Sequence, residues 1–251
     1  MEHYATVQQV FTGGLVFARV GAFVTTMPGF GDTPAPTRVR LAFAFLMCLV
    51  VTPVVAPTLP QIPPSVGELG GDILREVLIG LAIGAILRAF LAAMATAGEV
   101  ISLSTTLSFA QTANPTEAQQ NTTIATFLSL MAVVLIMATN LHHLFIAAMV
   151  RSYTLFPYGH APPVADFAQL AIRTVADAFA LGIQLAAPII AFSLIFNIAT
   201  GLVGRAMPSF QIYFAAAPLN VLLGLSLLAL SLGVMGTWWL DRYRDVLQSF
   251  A

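Results

Sequence analysis

His142 and His143 are adjacent in the sequence, and their side chains are the ones that most readily suggest a metal site or acid–base chemistry. Neighbouring side chains on a helix point about 100° apart, so the two imidazoles cannot hold one metal ion as a pair four residues apart would. The sequence also contains no HExxH or GxSxG motif, no glycine-rich phosphate loop and no set of paired carboxylates. We therefore expect no enzymatic activity, cofactor or metal, and we expect the histidines to mark a helix end or a subunit contact.

Charged residues also occur inside or beside strongly apolar segments, where exposure to lipid would make each one costly. Asp72 and Arg75 can pair with each other across their three-residue spacing at the start of a helix. Arg19, Arg88 and Glu99 have no such neighbour in the sequence. Either they reach the membrane surface or another helix of the same chain, or they face other subunits or a wet channel. The candidates inside or beside the apolar segments are Arg19, Glu76, Arg88, Glu99 and Asp177.

A polar stretch, Gly98 to Thr123, separates two apolar segments near the middle of the chain. It is rich in Thr, Ser, Gln and Asn and has no Arg, Lys or His, and its Asn114-Pro115 pair predicts a turn or a helix break. Irregular backbone at membrane depth is tolerated only where protein buries it or where it lines a water-filled cavity. The stretch is thus either a loop that enters a pore or an ordinary polar loop outside the membrane, and composition alone favours the ordinary loop.

The elements that position these residues are apolar helices. With 58% hydrophobic and 8% charged residues and a mean hydropathy of +0.88, the composition indicates a multi-helix membrane protein. The basic residues, all Arg, number 10 against 11 acidic ones, so no basic stripe for nucleic acid is expected. Six apolar segments are predicted, at about Val10–Met27, Val39–Leu59, Ile73–Ala97, Ile124–Val150, Leu170–Ala199 and Ile212–Leu240.

Some of these segments are not simple perpendicular spans. As a helix, residues 170–199 would reach about 45 Å, which exceeds a hydrocarbon core of about 30 Å. This segment must tilt strongly, kink at Pro188 or extend outside the bilayer. Pro53 and Pro57 are expected to break the second segment, and Gly201 and Gly204 are expected to end the fifth before a tight turn.

Four separated motifs occur in collinear order and together span nearly the whole chain. They read RVGAFVTTMPGFGDTPAPTRVRLAFAF (19–45), REVLIGLAIGAILRAFLAAMATAGEVISLSTTLSFAQTANP (75–115), ATNLHHLFIAAMVRSYTLFP (138–157) and NIATGLVGRAMPSFQIYFAAAPLNVLLGL (197–225). In this order they resemble the FliR/SctT family of type III export-gate proteins. The Asn-Leu-His-His run, residues 140–143, favours the flagellar branch of that family.

The resemblance implies an all-α membrane protein of about six long, partly bent hydrophobic helices in hairpins. It would be a non-enzymatic subunit of the flagellar type III protein export gate, in the bacterial inner membrane at the flagellar basal body. The implied partners are P-type and Q-type gate subunits, the B-type export switch protein, unfolded flagellar protein substrates and membrane lipid, without nucleic acid. The chain would be one domain, 1–251, in which residues 1–165 resemble a P-type subunit and residues 166–251 form a hairpin like a Q-type subunit.

In this family the central loop, here within 98–123, plugs the pore until a substrate passes. The resemblance places the plug at about 102–116, and Gln111, Thr112 and Ala113 stand where some relatives carry further Phe residues. A wetter plug is therefore expected, whose seal rests on Leu107, Phe109 and residues of the partners. The predicted plug residues are Leu107, Ser108, Phe109, Ala110, Asn114 and Pro115.

Subunit contacts are predicted for Arg19, Arg88, Glu99, Arg205 and Pro208. The first three are charges without a neighbour in sequence to pair with. Arg205 is expected near the tip of a tight turn between the last two long helices, with Pro208 fitting the start of the second of them.

A self-contained secondary transporter or channel is the alternative function. A transporter of the common kind shows two corresponding halves with short, interrupted helices. This sequence has no internal repeat, and its two halves differ in segment lengths. A third possibility, an intramembrane enzyme, lacks a catalytic set. A transporter would bind a solute when purified alone, whereas a gate subunit would co-purify with its partners.

Overall fold

The computed structural model describes residues 6–29, 36–58, 65–107, 122–158, 164–207 and 211–250. Within these ranges the backbone forms α-helices and no β-strand, so the predicted all-α class is confirmed. A single 3₁₀ turn, Ala56–Thr58, follows the second helix. The helices are α1 (Val7–Thr26), α2 (Thr37–Val55), α3 (Val66–Ser104), α4 (Thr123–Ala138), α5 (His142–Leu155), α6 (Val164–Ala206) and α7 (Ile212–Phe250).

The six predicted apolar segments are confirmed as membrane-span candidates. Helices α1, α2, α3, α6 and α7 are each long and apolar enough to cross a membrane, and α4 with α5 forms a sixth, bent candidate. The sequence predicted one continuous segment there, but the helix breaks at Thr139-Asn140-Leu141, where Asn140 has a left-handed φ of 58°. Asparagine adopts this conformation more readily than most residues. The expectation that His142 and His143 mark a helix end is confirmed, because α5 begins at His142.

Several helices run further than predicted. Helix α6 has 43 residues, which corresponds to about 65 Å. It continues through Pro188, Gly201 and Gly204, so the prediction that these glycines end the helix is wrong. A glycine within a helix costs only about 1 kcal/mol relative to alanine, and the hydrogen bonds of a long apolar helix outweigh that penalty. Likewise α2 continues past Pro53, and the chain leaves it through the 3₁₀ turn that contains Pro57.

The chain forms two compact units. The first contains the described residues of Met1–Phe90, Thr139–Val175 and Arg244–Ala251, and the second those of Leu91–Ala138 and Ala176–Tyr243. Helices α3, α6 and α7 each contribute residues to both units. The units therefore interleave along the sequence. The predicted division at residues 165 and 166 concerns likeness to other subunits, and it stays a prediction.

In the first unit, α1 and α3 approach each other closely at two glycines. A Cβ atom on Gly80 would collide with the carbonyl oxygen of Arg19, and one on Gly84 would collide with the hydroxyl of Thr26. Small residues at four-residue spacing allow helix backbones to come this near in lipid. The spacing of Gly80 and Gly84 therefore fixes where α3 lies along α1.

An ion pair is buried at this α1–α3 contact. Arg19 of α1 and Glu76 of α3 are both fully buried, and the guanidinium meets the carboxylate through two bonds, Nε to Oε2 at 2.6 Å and Nη2 to Oε1 at 2.9 Å. Arg19 also donates to the Oγ of Ser152 at 3.2 Å and to the carbonyl of Phe156 at 3.1 Å. Its guanidinium carbon lies 4.0 Å from the ring centroid of Tyr153. One side chain thus joins α1, α3 and the end of α5.

A second, more exposed pair lies one turn earlier on α3. The predicted pairing of Asp72 with Arg75 is confirmed, with Nη1 3.7 Å from Oδ1 and with both side chains partly accessible. Burial and a hydrogen bond to Asp72 raise the pKa of the Tyr158 phenol. That phenol therefore stays protonated and donates to the carboxylate at neutral pH. Exposed pairs of this kind contribute about 1 kcal/mol or less to stability.

These two pairs give a matched test of the buried one. Arg19→Met should destabilise the protein by about 3–5 kcal/mol, because it leaves the Glu76 carboxylate buried without its counter-charge. Arg75→Gln should cost about 1 kcal/mol or less. The measurement is the thermal unfolding midpoint of detergent-extracted protein. The midpoint is obtained from the decrease of the monodisperse fraction on heating. The double variant Arg19→Met/Glu76→Leu should recover most of the loss, and equal costs for Arg19→Met and Arg75→Gln would contradict this role.

Candidate functional site

The predicted plug lies mostly outside the residues that the structure describes. Leu107 is described and is half-buried, whereas Ser108, Phe109, Ala110, Asn114 and Pro115 fall in the range 108–121, which is not described. The described part of the site is therefore the base of the polar loop. We call this base the loop root: Gly98, Glu99, Ser104 and Thr105 where the chain leaves α3, and Thr122 and Ala125 where it enters α4. All of these residues belong to the second unit.

A hydrogen bond closes the loop root. The Glu99 carboxylate accepts from the backbone N–H of Thr122, with 2.8 Å between Oε1 and N. The Thr122 hydroxyl in turn accepts from the N–H of Ala125 at 3.3 Å, which makes Thr122 the N-cap of α4. A carboxylate beside the first N–H groups of a helix is favourable, because those groups lack partners within the helix and carry partial positive charge. Glu99 thus holds the returning end of the loop beside its departing end.

Close packing of α3 on α4 reinforces this closure. A Cβ atom on Gly98 would lie 2.6 Å from the backbone nitrogen of Ala125 and 2.9 Å from the carbonyl carbon of Ile124. Both atoms are backbone and cannot rotate away. Only glycine fits at residue 98. Because glycine has no side chain, α3 and α4 can lie close enough for the two ends of the loop to be neighbours.

The end of α3 is anchored to two further helices of the second unit. The hydroxyl of Ser193, on α6, donates to the carbonyl of Ser104 at 2.6 Å and satisfies one of the carbonyls that a helix end leaves free. Thr105 is fully buried and packs against Gly224 of α7. Thr106 then takes a left-handed φ of 59°, where the backbone leaves the helical path. The point at which the loop departs is therefore fixed on both sides.

Sequence reasoning did not find the polar residues on α6 that support the loop root. Besides Ser193, these include Asn197, which donates to the Ser193 hydroxyl at 3.4 Å. The available signal was a small polar side chain inside each apolar segment. That signal does not say which helix the side chain meets.

The five predicted subunit contacts have different environments. For Arg19 the prediction is corrected, because the side chain is fully buried and is paired with Glu76 of its own chain. Arg88 is exposed on α3, and Arg205 is exposed in the last turn of α6. Glu99 is half-buried, and its Oε1 accepts a hydrogen bond from the N–H of Thr122 in the same chain. The contacts of Arg88, Glu99 and Arg205 remain predictions, and Pro208 lies outside the described residues.

The described residues can also be examined for a possible metal site. Among them, no group of three or more His, Cys, Asp or Glu side chains is arranged to hold a metal ion. The loop root itself presents hydroxyls, one carboxylate and backbone groups, each used to fix a helix end. Such an arrangement positions a loop.

Comparison with known proteins agrees with this picture. The sequence model for "Bacterial export proteins, family 1" matches residues 10–246. The chain is 58% identical to "Flagellar biosynthetic protein FliR" of Caulobacter vibrioides, over 100% of both sequences. It is 32% identical to the protein of the same name from Escherichia coli, over 84% of this chain and 80% of that one. The chain belongs to family 1 of the bacterial export proteins.

Membership of family 1 confirms the resemblance to the FliR/SctT proteins that the four motifs indicated. A further relative, the protein of the same name from Bacillus subtilis, is 27% identical over 88% of this chain and 86% of its own length. Together with the long apolar helices, the membership identifies the chain as a membrane protein of an export family.

Two glycines test the packing at the loop root. In Gly98→Ala the added methyl meets the backbone of α4, so α3 and α4 must separate, at a cost of about 1–3 kcal/mol. Gly233→Ala is the matched control, because a Cβ there meets nothing within 4 Å. The control should be neutral or stabilising by about 0.5–1 kcal/mol. Thermal midpoints of the extracted proteins measure both effects, and the loop root is not tightly packed if both substitutions are equally tolerated.

Proposed function

We propose that this chain is a non-enzymatic subunit of the flagellar protein export gate in the bacterial inner membrane, at the flagellar basal body. In this proposal it helps to form and to plug the pore through which unfolded flagellar proteins pass. The observation that carries the proposal is the full-length match, at 58% identity, to a relative named as a flagellar biosynthetic protein.

The geometry of the loop root supports the plug. A loop that blocks a pore needs a fixed base and a length of chain that a passing polypeptide can push aside. Glu99 joins the two ends at 2.8 Å from Thr122 N, and Ser193 anchors the end of α3. Between those ends, residues 102–116 include no charged side chain. Leu107 and Phe109 are the apolar side chains that would close a constriction by excluding water.

Exposed surface on α3 supports a role as one subunit among several. Leu74, Leu78, Leu81, Ala85 and Arg88 are all exposed and follow one another at spacings of four, three, four and three residues. That spacing places them in one stripe of the helix, as in the seam between two packed helices. We assign the stripe to contact with a neighbouring gate subunit.

The last two helices support the proposed Q-type hairpin. Helices α6 and α7 contain 43 and 39 residues, and both expose large apolar side chains such as Ile195 and Leu222. At about 1.5 Å per residue each is far longer than a bilayer requires. We propose that P-type and Q-type subunits and the B-type switch protein cover this surface, and that Arg205 meets one of them.

Deleting the loop's central residues tests the plug. Removal of Leu107–Ala113 should let small ions leak across the membrane while the gate still assembles, because the two ends of the loop remain joined through Glu99 and Thr122. The measurement is ion leakage in cells, together with secretion of flagellar protein and the amount of assembled complex.

A deletion elsewhere provides the control for that experiment. Removing Leu59–Pro64, which connects α2 to α3, should leave the membrane tight to ions. If the Leu107–Ala113 deletion assembles and also stays tight, the loop is a connector and the plug assignment fails.

A further inference from the structure

Asn220 of α7 carries a buried polar atom that has no hydrogen-bond partner. Its side chain is 2% exposed, and in the described part of the second unit two buried side-chain atoms lack a partner, Asn220 Oδ1 and Ser102 Oγ. A serine hydroxyl can rotate onto a carbonyl of its own helix. The carboxamide oxygen of an asparagine needs a separate donor. Because a buried acceptor without a donor is unfavourable, the packing of the helices alone does not account for Asn220.

Helices α3, α6 and α7 meet at one level of the second unit, where α3 ends. The Ser193 hydroxyl of α6 bonds the carbonyl of Ser104, and Gly224 of α7 packs directly on Thr105. An earlier residue of α6, Gly182, packs on an earlier part of α3. Helices α3 and α6 therefore run in the same direction.

A contact between α6 and α7 fixes the direction of α7. A Cβ atom on Gly204 would lie 3.2 Å from Cγ2 of Ile212, so the end of α6 adjoins the start of α7. Gly204 lies 11 residues after Ser193, and Ile212 lies 12 residues before Gly224. The two helices are thus antiparallel over this stretch, and α7 approaches the end of α3 from beyond it. Asn220 precedes Gly224 by one turn, which places it about 6 Å past the level at which the chain leaves α3.

The surroundings of Asn220 favour a neutral donor. No charged side chain occurs in residues 100–107, 178–204 or 212–240, which include this level of α3, α6 and α7. These helices therefore offer no counter-charge for an ion or a lipid phosphate. The helices of a neighbouring subunit have their N–H groups bonded internally, whereas an unfolded polypeptide has free N–H groups at nearly every residue. A carboxamide oxygen accepts from such a group whatever the side chain beside it.

We propose that Asn220 Oδ1 accepts a hydrogen bond from the main chain of the unfolded polypeptide that is being exported. This inference rests on the proposed function and names a residue that contacts the substrate. The unoccupied arrangement leaves the acceptor buried without a donor, and a polypeptide that reaches Asn220 removes that cost. An apolar side chain at residue 220 would instead favour the unoccupied arrangement.

The first measurement does not involve export. Asn220→Leu replaces the carboxamide with an apolar group of similar size, so the thermal midpoint of protein extracted with its natural neighbours should stay the same or rise. Ser193→Ala should lower the midpoint, because the carbonyl of Ser104 loses its donor. A midpoint that falls as far in Asn220→Leu as in Ser193→Ala would show that Asn220 already has a partner, and would overturn the proposal.

The second measurement compares two export substrates in cells. Each carries an inserted unfolded segment, which is rich in alanine in one substrate and rich in proline in the other. Proline has no N–H to donate. Cells with the wild-type chain should export the alanine form about fivefold faster, the effect of one hydrogen bond. Most of that difference should disappear in Asn220→Leu, which has no acceptor.

Two further variants separate the acceptor from the general surface of α7. Asn220→Asp keeps an oxygen acceptor in the same place and should keep the difference between the two substrates. Ser226→Ala is the control, because the Ser226 hydroxyl already donates to the carbonyl of Leu222, and it should also keep the difference.

The outcomes distinguish this contact from the proposed function. If the alanine and proline forms differ as much in Asn220→Leu as in the wild type, at equal amounts of assembled gate, the contact is overturned and the proposed function stands. Export of both forms by cells that lack the chain would contradict the proposed function, and this inference with it.

Discussion

A guanidinium at the centre of an apolar helix pack has to be neutralised, and the Arg19–Glu76 pair does this in the first unit. The pair is completely buried, is bidentate, and has a third and a fourth partner in Ser152 and the carbonyl of Phe156. An isolated charge in such surroundings costs several kcal/mol. Separation of α1, α3 and α5 would leave both charges unpaired and is therefore strongly unfavourable. The close approach at Gly80 and Gly84 allows α1 and α3 to meet at this contact.

The need to pair the free backbone groups at helix ends shapes the loop root in the second unit. There the groups are the free carbonyls at the end of α3 and the free N–H groups at the start of α4. Ser193 and Glu99 supply the partners, and in doing so they fix where the polar loop begins and ends. A chain segment between two fixed points can move without disturbing the helices that carry it. That property is the one a plug requires.

Local features of the sequence predicted more than long-range ones. The six apolar segments, the Asp72–Arg75 pair and the helix end at His142 depend on residues close in sequence, and all are present. Arg19 and Glu76 are separated by 57 residues, so no spacing rule joins them, and the sequence alone predicts a subunit contact for Arg19. The predicted helix end at Gly201 and Gly204 failed because a glycine costs only about 1 kcal/mol within a helix, less than the hydrogen bonds of a long apolar helix contribute. The family motifs located the loop. The hydrogen-bond partners of Ser104 and Glu99 lie 89 and 23 residues away in the sequence, so no spacing rule identifies them.

In the proposed function, a polypeptide being exported passes the polar loop, in which Leu107 is the last described residue after α3. A photoactivatable residue can be placed at Leu107, in cells whose export substrate is arrested in transit by a folded domain fused to it. The matched position is Leu46, on the outer face of α2, which is 61% exposed. A covalent adduct with the arrested substrate is expected at Leu107 and none at Leu46. This expectation would be contradicted by normally assembled protein that forms no substrate adduct at Leu107, or that forms adducts equally at both positions.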